Sequence, residues 1–169
     1  APSSQSLAFT NVYRAANSTT IRATKTLAGA VLADGLFSFA LTGNGQNQVN
    51  TNAGDAVVFD PIAYDEQDVG KTYHYTVAEV VSDTSQGGYT YDKSEFDVAV
   101  TVSIDQVDAS KLVATQTITR TKDAEGKDVA ASDARVDAIA FHNTYGAAGS
   151  VEIAGIKKMV GRRMRRGDV

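Results

Sequence analysis

The chain has 169 residues, a formal net charge of −4 and no cysteine. The lack of cysteine excludes disulfides, thiol nucleophiles and thiolate metal sites, and no run of about 18 apolar residues is present that could cross a membrane as a helix. Acidic residues outnumber basic ones over residues 1–149, which disfavours nucleic acid as a partner of this main body. An apolar content of 43% is sufficient for about one domain with its own core.

Alternation of apolar and polar residues, the pattern of half-buried strands, is the dominant signal along the chain. In chain order it predicts strands over about 19–29, 37–41, 55–63, 71–82, 96–104, 111–120 and 137–145. Turn-rich stretches separate them at 42–54, 83–88 and 122–133, and no window has a convincing helical period. The sequence therefore predicts an all-β fold, an antiparallel β-sandwich.

Three polar side chains fall on the apolar faces of these predicted strands. Strand parity places Lys25, Glu79 and Asn143 among residues that point toward the core. An unpaired buried amide costs about 1–3 kcal/mol and an unpaired buried charge costs more, so each of the three needs a partner. In the simplest interpretation, Lys25 extends to solvent at a strand end, Glu79 forms a plain salt bridge with it, and Asn143 bonds the backbone of a turn.

A different chemistry becomes available if the three side chains meet. Desolvation lowers the pKa of an amine and raises the pKa of a carboxyl group, so Lys25 becomes a neutral nucleophile and Glu79 a neutral acid. Glu79 could polarise the side-chain carbonyl of Asn143 and move a proton while the amine attacks. Ammonia leaves, and an amide bond joins Lys25 to Asn143. This reaction needs no cofactor and no metal, and it happens once per molecule.

Two motifs near the start of the chain return near its end. Residues 8–13 (AFTNVY) are similar to 140–145 (AFHNTY), and residues 21–29 (IRATKTLAG) are similar to 153–161 (IAGIKKMVG). Both pairs have the same offset, 132 residues, which indicates a tandem period.

This period predicts a domain organisation. We expect residues 1–13 to end a preceding repeat, 14–146 to form one complete repeat, and 147–169 to hold a linker and the truncated first strand of a following repeat. Asn11 and Lys157 are then the unpaired equivalents of the asparagine and the lysine above. The basic stretch that begins at Lys157 is interpreted as part of that strand rather than as a nucleic-acid site.

Several short motifs in order resemble the pilin isopeptide linkage domain of Gram-positive pilins and repetitive surface adhesins. They are KTLAG (25–29), FSFAL (37–41), YHYTVAEV (73–80), YTYD (89–92), FDVAVTVS (96–103), KLVATQ (111–116) and FHNTY (141–145). The resemblance runs from about Thr19 to Tyr145. It implies an immunoglobulin-like sandwich in which Lys25 of the first strand is joined to Asn143 of the last, with Glu79 as the catalytic acid.

The expected function is that of a stalk or shaft module in a bacterial surface adhesin or pilus-like fibre, stabilised by an autocatalytic isopeptide bond. We expect such a module to be extracellular, to be cell-wall anchored through its parent protein, to be monomeric and not to be an enzyme toward external substrates. Its partners are neighbouring repeats of the same chain, with no membrane insertion. The alternative is an adhesin module that recognises a host protein or glycan through the stretches 42–54 and 122–133. His74 and His142 fall on solvent-facing positions and form no catalytic triad.

Overall fold

The computed structural model describes residues 15–81 and 87–146. Within these ranges the secondary structure consists of β-strands and one 3₁₀ turn, Glu66–Asp68, and no helix is long and apolar enough to cross a membrane. The strands are β1 (Ala16–Thr19), β2 (Arg22–Ala28), β3 (Ser38–Gly43), β4 (Gln46–Thr51), β5 (Ala56–Val58), β6 (Ile62–Asp65), β7 (Thr72–Glu79), β8 (Tyr89–Thr90), β9 (Glu95–Ile104), β10 (Leu112–Lys122), β11 (Arg135–Val136) and β12 (Ile139–Tyr145).

Two sheets enclose the core. One has six strands in the order β11-β10-β9-β7-β3-β4 and the other has four in the order β5-β2-β12-β8, while β1 and β6 form a separate pair. The sheets meet through aromatic side chains: the ring of Phe141 in β12 lies 5.2 Å from that of Phe39 in β3 and 5.2 Å from that of Phe96 in β9. The predicted all-β sandwich is confirmed.

The sandwich is not wholly antiparallel. Strands β2 and β12 run parallel, with Lys25 opposite Phe141 and Asn143 opposite Leu27, whereas the other strand pairs described are antiparallel. A parallel pair cannot be closed by a short hairpin. The first and last strands of the core, β2 and β12, are neighbours in the sheet, and the long connection between them contains almost the whole domain.

Three predicted segments differ from those in the structure. The predicted strand 19–29 is divided, since β1 ends at Thr19 and pairs with β6 while β2 begins at Arg22. The predicted strand 55–63 is divided into β5 and β6 around Pro61, which has no main-chain N–H to donate. The stretch 42–54, predicted to be turn-rich, contains strand β4, which pairs with β3 across a tight turn.

The end of β2 packs against the end of β12 through a glycine. Gly29 has a φ of +87°, and a Cβ at this position would lie 2.1 Å from the main-chain oxygen of Tyr145. We expect Gly29→Ala to lower the free energy of unfolding by at least about 1–2 kcal/mol, because both the left-handed backbone and the contact are unfavourable for alanine. Urea unfolding measures this in a Lys25→Met background that cannot form a cross-link.

Gly54→Ala is the matched control for this substitution. Gly54 also has a positive φ, +58°, but a Cβ there meets nothing within 4 Å. The backbone strain is therefore present at both positions and the steric contact only at Gly29. Equal losses of stability for the two variants would show that the close approach of β2 and β12 is unimportant.

Candidate functional site

The structure brings Lys25, Glu79 and Asn143 together between the two sheets. Lys25 in β2 and Asn143 in β12 point into the core from the four-stranded sheet, and both residues are 0% exposed. Glu79 is the last residue of β7 and reaches in from the six-stranded sheet, where it pairs with Phe39. Its side chain is also fully buried. Three distant parts of the sequence thus supply an amine, a carboxyl group and a carboxamide to one enclosed site.

Glu79 bridges the other two side chains with its two oxygens. Lys25 Nζ donates a hydrogen bond to Glu79 Oε2 at 2.7 Å, and Asn143 Nδ2 donates to Glu79 Oε1 at 2.6 Å. On its other side, Asn143 Oδ1 accepts from the main-chain N–H of Asp92 at 2.7 Å.

These contacts test the simplest interpretation of the three polar residues. Lys25 does not extend to solvent, because its side chain is 0% exposed. That interpretation is nevertheless right in two details: Glu79 pairs with Lys25, and Asn143 does bond a main-chain group. The carboxyl group of Glu79 contacts the nitrogen of the Asn143 amide, whereas the sequence led us to expect that it polarises the oxygen.

The surroundings of the site are apolar. Lys25 Nζ lies 4.6 Å from the ring centroid of Phe37 and 5.7 Å from that of Phe39, so aromatic rings replace the water that would solvate an ammonium group. Burial lowers the pKa of Lys25 and raises the pKa of Glu79, and in both cases desolvation is the largest cause. The attraction between the partners opposes both shifts but weighs less. The negative charge of Asp92 raises the pKa of Glu79 further.

The arrangement therefore favours an uncharged pair. With the shared proton on Glu79, Lys25 keeps a free lone pair and becomes a nucleophile. The proton then lies on Glu79 Oε1, and the amine donates one N–H to Oε2 across the 2.7 Å contact, so this hydrogen bond does not use the lone pair. Glu79 lies within hydrogen-bonding distance of both the amine and the amide, which is the geometry needed to carry a proton from one nitrogen to the other.

Asp92 also contacts this site, although it was not among the site residues predicted from the sequence. It is only 5% exposed, and it lies between β8 and β9 rather than inside a strand. Alternating strand parity makes no prediction for a residue that lies between strands. Its one signal in the sequence is its place at the end of YTYD (89–92), a motif used above only for the family resemblance.

The other residues considered from the sequence lie elsewhere. Asn11 and Lys157 fall outside the described residues, so the division into 1–13, 14–146 and 147–169 stays a prediction. His74 and His142 are exposed, and they contact Asp97 and Thr26 respectively. In residues 15–81 and 87–146, no cluster of three or more histidine, aspartate or glutamate side chains is arranged to hold a metal ion.

The fold and the site define an immunoglobulin-like β-sandwich domain with a lysine, a glutamate and an asparagine enclosed between its sheets. Residues 21–146 match the Spy0128-like isopeptide containing domain family (FctA), and the chain belongs to that family. The match covers nearly the same span as the resemblance read from the sequence, which is thereby confirmed. No curated protein matches the chain.

The chain is also similar to crystal structures of the major pilin from Streptococcus pyogenes. Two single-residue mutants of that pilin align with 19% identity and a TM-score of 0.40, covering 76% of this chain and 50% of theirs. The pilin without these mutations aligns with 19% identity and a TM-score of 0.38, covering 80% of this chain and 51% of its own. The chain thus spans about half the length of the pilins that it matches.

Proposed function

We propose that this domain is a structural shaft module of a bacterial surface fibre, stabilised by an isopeptide bond that forms spontaneously between Lys25 and Asn143. The observation that carries the proposal is the carboxyl group of Glu79, which bridges Lys25 Nζ and Asn143 Nδ2 in a site closed to solvent. Membership of an isopeptide-containing family supports it. The module is extracellular, and its partners are neighbouring modules of the same fibre.

The reaction is a transfer of the Asn143 acyl group from ammonia to the lysine amine. Lys25 Nζ attacks Asn143 Cγ and gives up a proton to Glu79 through Oε2. Glu79 supplies a proton through Oε1 to Nδ2, the bond between Cγ and Nδ2 breaks, and ammonia leaves. Glu79 recovers its starting protonation state. One amine and one primary amide become one secondary amide and ammonia, without any change of oxidation state.

The position of the bond explains its mechanical use. It would connect β2 to β12, the parallel pair that holds the first and last core strands. Tension that enters through β2 and leaves through β12 then passes through covalent bonds at Lys25 and Asn143. The segment between these residues carries no load, so its hydrogen bonds do not have to resist the force.

Pulling the full chain by its two ends tests this function. In the joined protein, the segment between Lys25 and Asn143 cannot unravel, so single-molecule force spectroscopy should show no extension from it. In Lys25→Met the same segment is released and should add up to about 400 Å of extended chain. An extension of that size in the unmodified protein would contradict a shaft role.

The rate of bond formation should have a maximum in pH. Below it, a second proton charges Lys25 and removes the lone pair; above it, Glu79 loses the proton that the leaving Nδ2 needs. Because burial lowers the pKa of Lys25 from 10.5 and raises that of Glu79 from 4.5, the reaction should already proceed near neutral pH. Unreacted chain from inclusion bodies, refolded from denaturant and followed by mass spectrometry, gives this profile. A rate that keeps rising toward pH 10.5 would indicate a solvated lysine instead.

The alternative function, recognition of a host ligand through loops, gains no support from the fold. One of the two stretches proposed for it, 42–54, includes the paired strand β4 rather than a free loop. A saturable host ligand whose affinity falls when 122–133 is replaced would favour the alternative.

A further inference from the structure

Negative charge must develop on Asn143 Oδ1 when Lys25 attacks the amide carbon, and this oxygen faces the main-chain N–H of Asp92 at 2.7 Å. We propose that this N–H is the oxyanion donor of the reaction and that the carboxylate of Asp92 is the positioning group that aims it. The inference rests on the proposed function and adds to it a second catalytic element beside Glu79.

The Asp92 N–H also decides which way the Asn143 amide points. In the observed orientation Nδ2 donates to Glu79 and Oδ1 accepts from Asp92. A rotation of the amide by half a turn would bring the Nδ2 hydrogens against the Asp92 N–H, two donors facing each other in a buried site. The contact therefore presents the leaving nitrogen, rather than the oxygen, to the proton carrier.

The carboxylate of Asp92 holds the N–H in place by contacts on both sides. Its Oδ1 accepts from the main-chain N–H of Ser94 at 2.9 Å, which fixes the turn between β8 and β9. Its Oδ2 accepts from the main-chain N–H of His142 at 2.8 Å, next to the reacting residue. Asp92 thus contacts both His142 and Asn143 of β12, and the donor cannot move away from the oxygen independently of that strand.

The outer side of the same turn is also anchored. Lys93 N donates to the main-chain oxygen of Ala124 at 3.0 Å, and the Arg120 guanidinium donates to Ser94 Oγ at 2.8 Å. The segment that follows β10 therefore packs over the turn. A donor that is already held before the reaction stabilises the developing charge without a reorganisation step.

The electron movement is consistent with this role. As Nζ bonds to Cγ, the electrons of the C=O double bond move onto Oδ1, where the Asp92 N–H donates to the developing anion. They return to re-form the double bond when the bond between Cγ and Nδ2 breaks. No proton is transferred to or from Asp92. The N–H contacts the reacting group directly, whereas the carboxylate acts only through position and charge.

The direct test removes the N–H and keeps the side chain. Aspartate at position 92 is replaced by its α-hydroxy acid counterpart, malic acid, by nonsense suppression in cell-free translation of the full chain, so that an ester oxygen replaces the N–H. Loss of ammonia after refolding from denaturant should slow by about 10²–10³-fold, the usual effect of removing one such donor. The folding rate, followed by circular dichroism, should change little.

The same exchange at Asp105 is the matched control. Its main-chain N–H donates to Lys111 O in the turn between β9 and β10, so this ester also loses one main-chain hydrogen bond. It should join at the unmodified rate. If the ester at position 92 joins at the rate of the Asp105 control, the oxyanion role is overturned. If the unmodified chain never loses ammonia, the proposed function fails and this inference fails with it.

Asp92→Asn tests the positioning role even if the ester folds poorly. The amide keeps an oxygen for Ser94 but presents a nitrogen to the His142 N–H, and it removes a negative charge that raises the pKa values of Lys25 and Glu79. Joining should slow, and both limbs of the pH–rate profile should move to lower pH. The lost charge alone moves the profile without lowering its maximum, so a maximal rate equal to that of the unmodified chain overturns the positioning role.

Discussion

We expect Glu79→Gln to leave Lys25 and Asn143 unjoined on the time scale on which the unmodified chain reacts, with a rate lower by about 10²–10⁴-fold. Glutamine has nearly the same shape, so it can still accept from Asn143 Nδ2 through its oxygen and donate to the neutral amine of Lys25 through its nitrogen. What it cannot do is take a proton from one nitrogen and give one to the other. The expected loss is therefore one of chemistry and not of packing.

Intact-mass measurement after refolding detects this result, because the unjoined chain retains the mass of one ammonia. Glu95→Gln is the control: Glu95 pairs with Lys122 near the surface, where its side chain is 35% exposed. That variant should react as the unmodified chain does. Joining of the Glu79→Gln chain at the unmodified rate would show that Glu79 is not the proton carrier.

Lys25→Met removes the nucleophile and should lower the stability of the domain by roughly 4–5 kcal/mol, the value expected for opening a closed loop of this length. For a domain of this size, that corresponds to a melting temperature lower by about 10–20 °C. Methionine fills most of the space of the lysine stem, and a protonated Glu79 leaves no unpaired charge beside it. The sandwich should therefore still form, with unchanged far-ultraviolet circular dichroism.

Two further variants separate the effect of losing the bond from the effect of losing the lysine side chain. Glu79→Gln also prevents joining but keeps Lys25, so its melting temperature should fall by a similar amount. Lys111→Met removes a lysine whose side chain is 71% exposed, and such surface ion pairs contribute little. This variant should melt close to the unmodified protein. A melting temperature for Lys25→Met equal to that of Lys111→Met would mean that no bond exists to be lost.

The fold and the three buried polar residues were predictable because both follow from alternating parity. A charged or amide residue in the apolar register of a strand stands out in the sequence, and Lys25, Glu79 and Asn143 are buried as that register requires. Parity does not predict which strands pair with each other. The parallel pairing of β2 with β12 depends on contacts between residues far apart in sequence.

Strand β4 shows a different limit. Its residues are mostly amides, and Val49 is 60% exposed, as suits the edge strand of a sheet with little to bury. The local signal that does identify it is the turn: Asn44 and Gly45 both have positive φ, the requirement of a two-residue hairpin. In the site, Asp92 shows a similar limit, because its proposed role depends on a main-chain N–H, which no side-chain pattern reveals.

The orientation of the Asn143 amide changed the assignment of roles. From residue types alone, the acid is expected to act on the carbonyl oxygen, since polarising that oxygen is the simplest way to activate an amide. In the structure the amide oxygen accepts a hydrogen bond from the Asp92 N–H, and the amide nitrogen donates one to Glu79. In the proposed reaction, polarisation and proton transfer are therefore divided between two residues, a main-chain donor and a carboxyl group.

The most direct measurement is a proteolytic map of the folded, purified chain, read by mass spectrometry. We predict one branched peptide in which the Lys25 side chain is joined to that of Asn143, lighter than the sum of its two arms by one ammonia, and no cleavage by trypsin after Lys25. Two separate linear peptides, with Lys25 cleaved and the intact mass equal to that of the sequence, would contradict it.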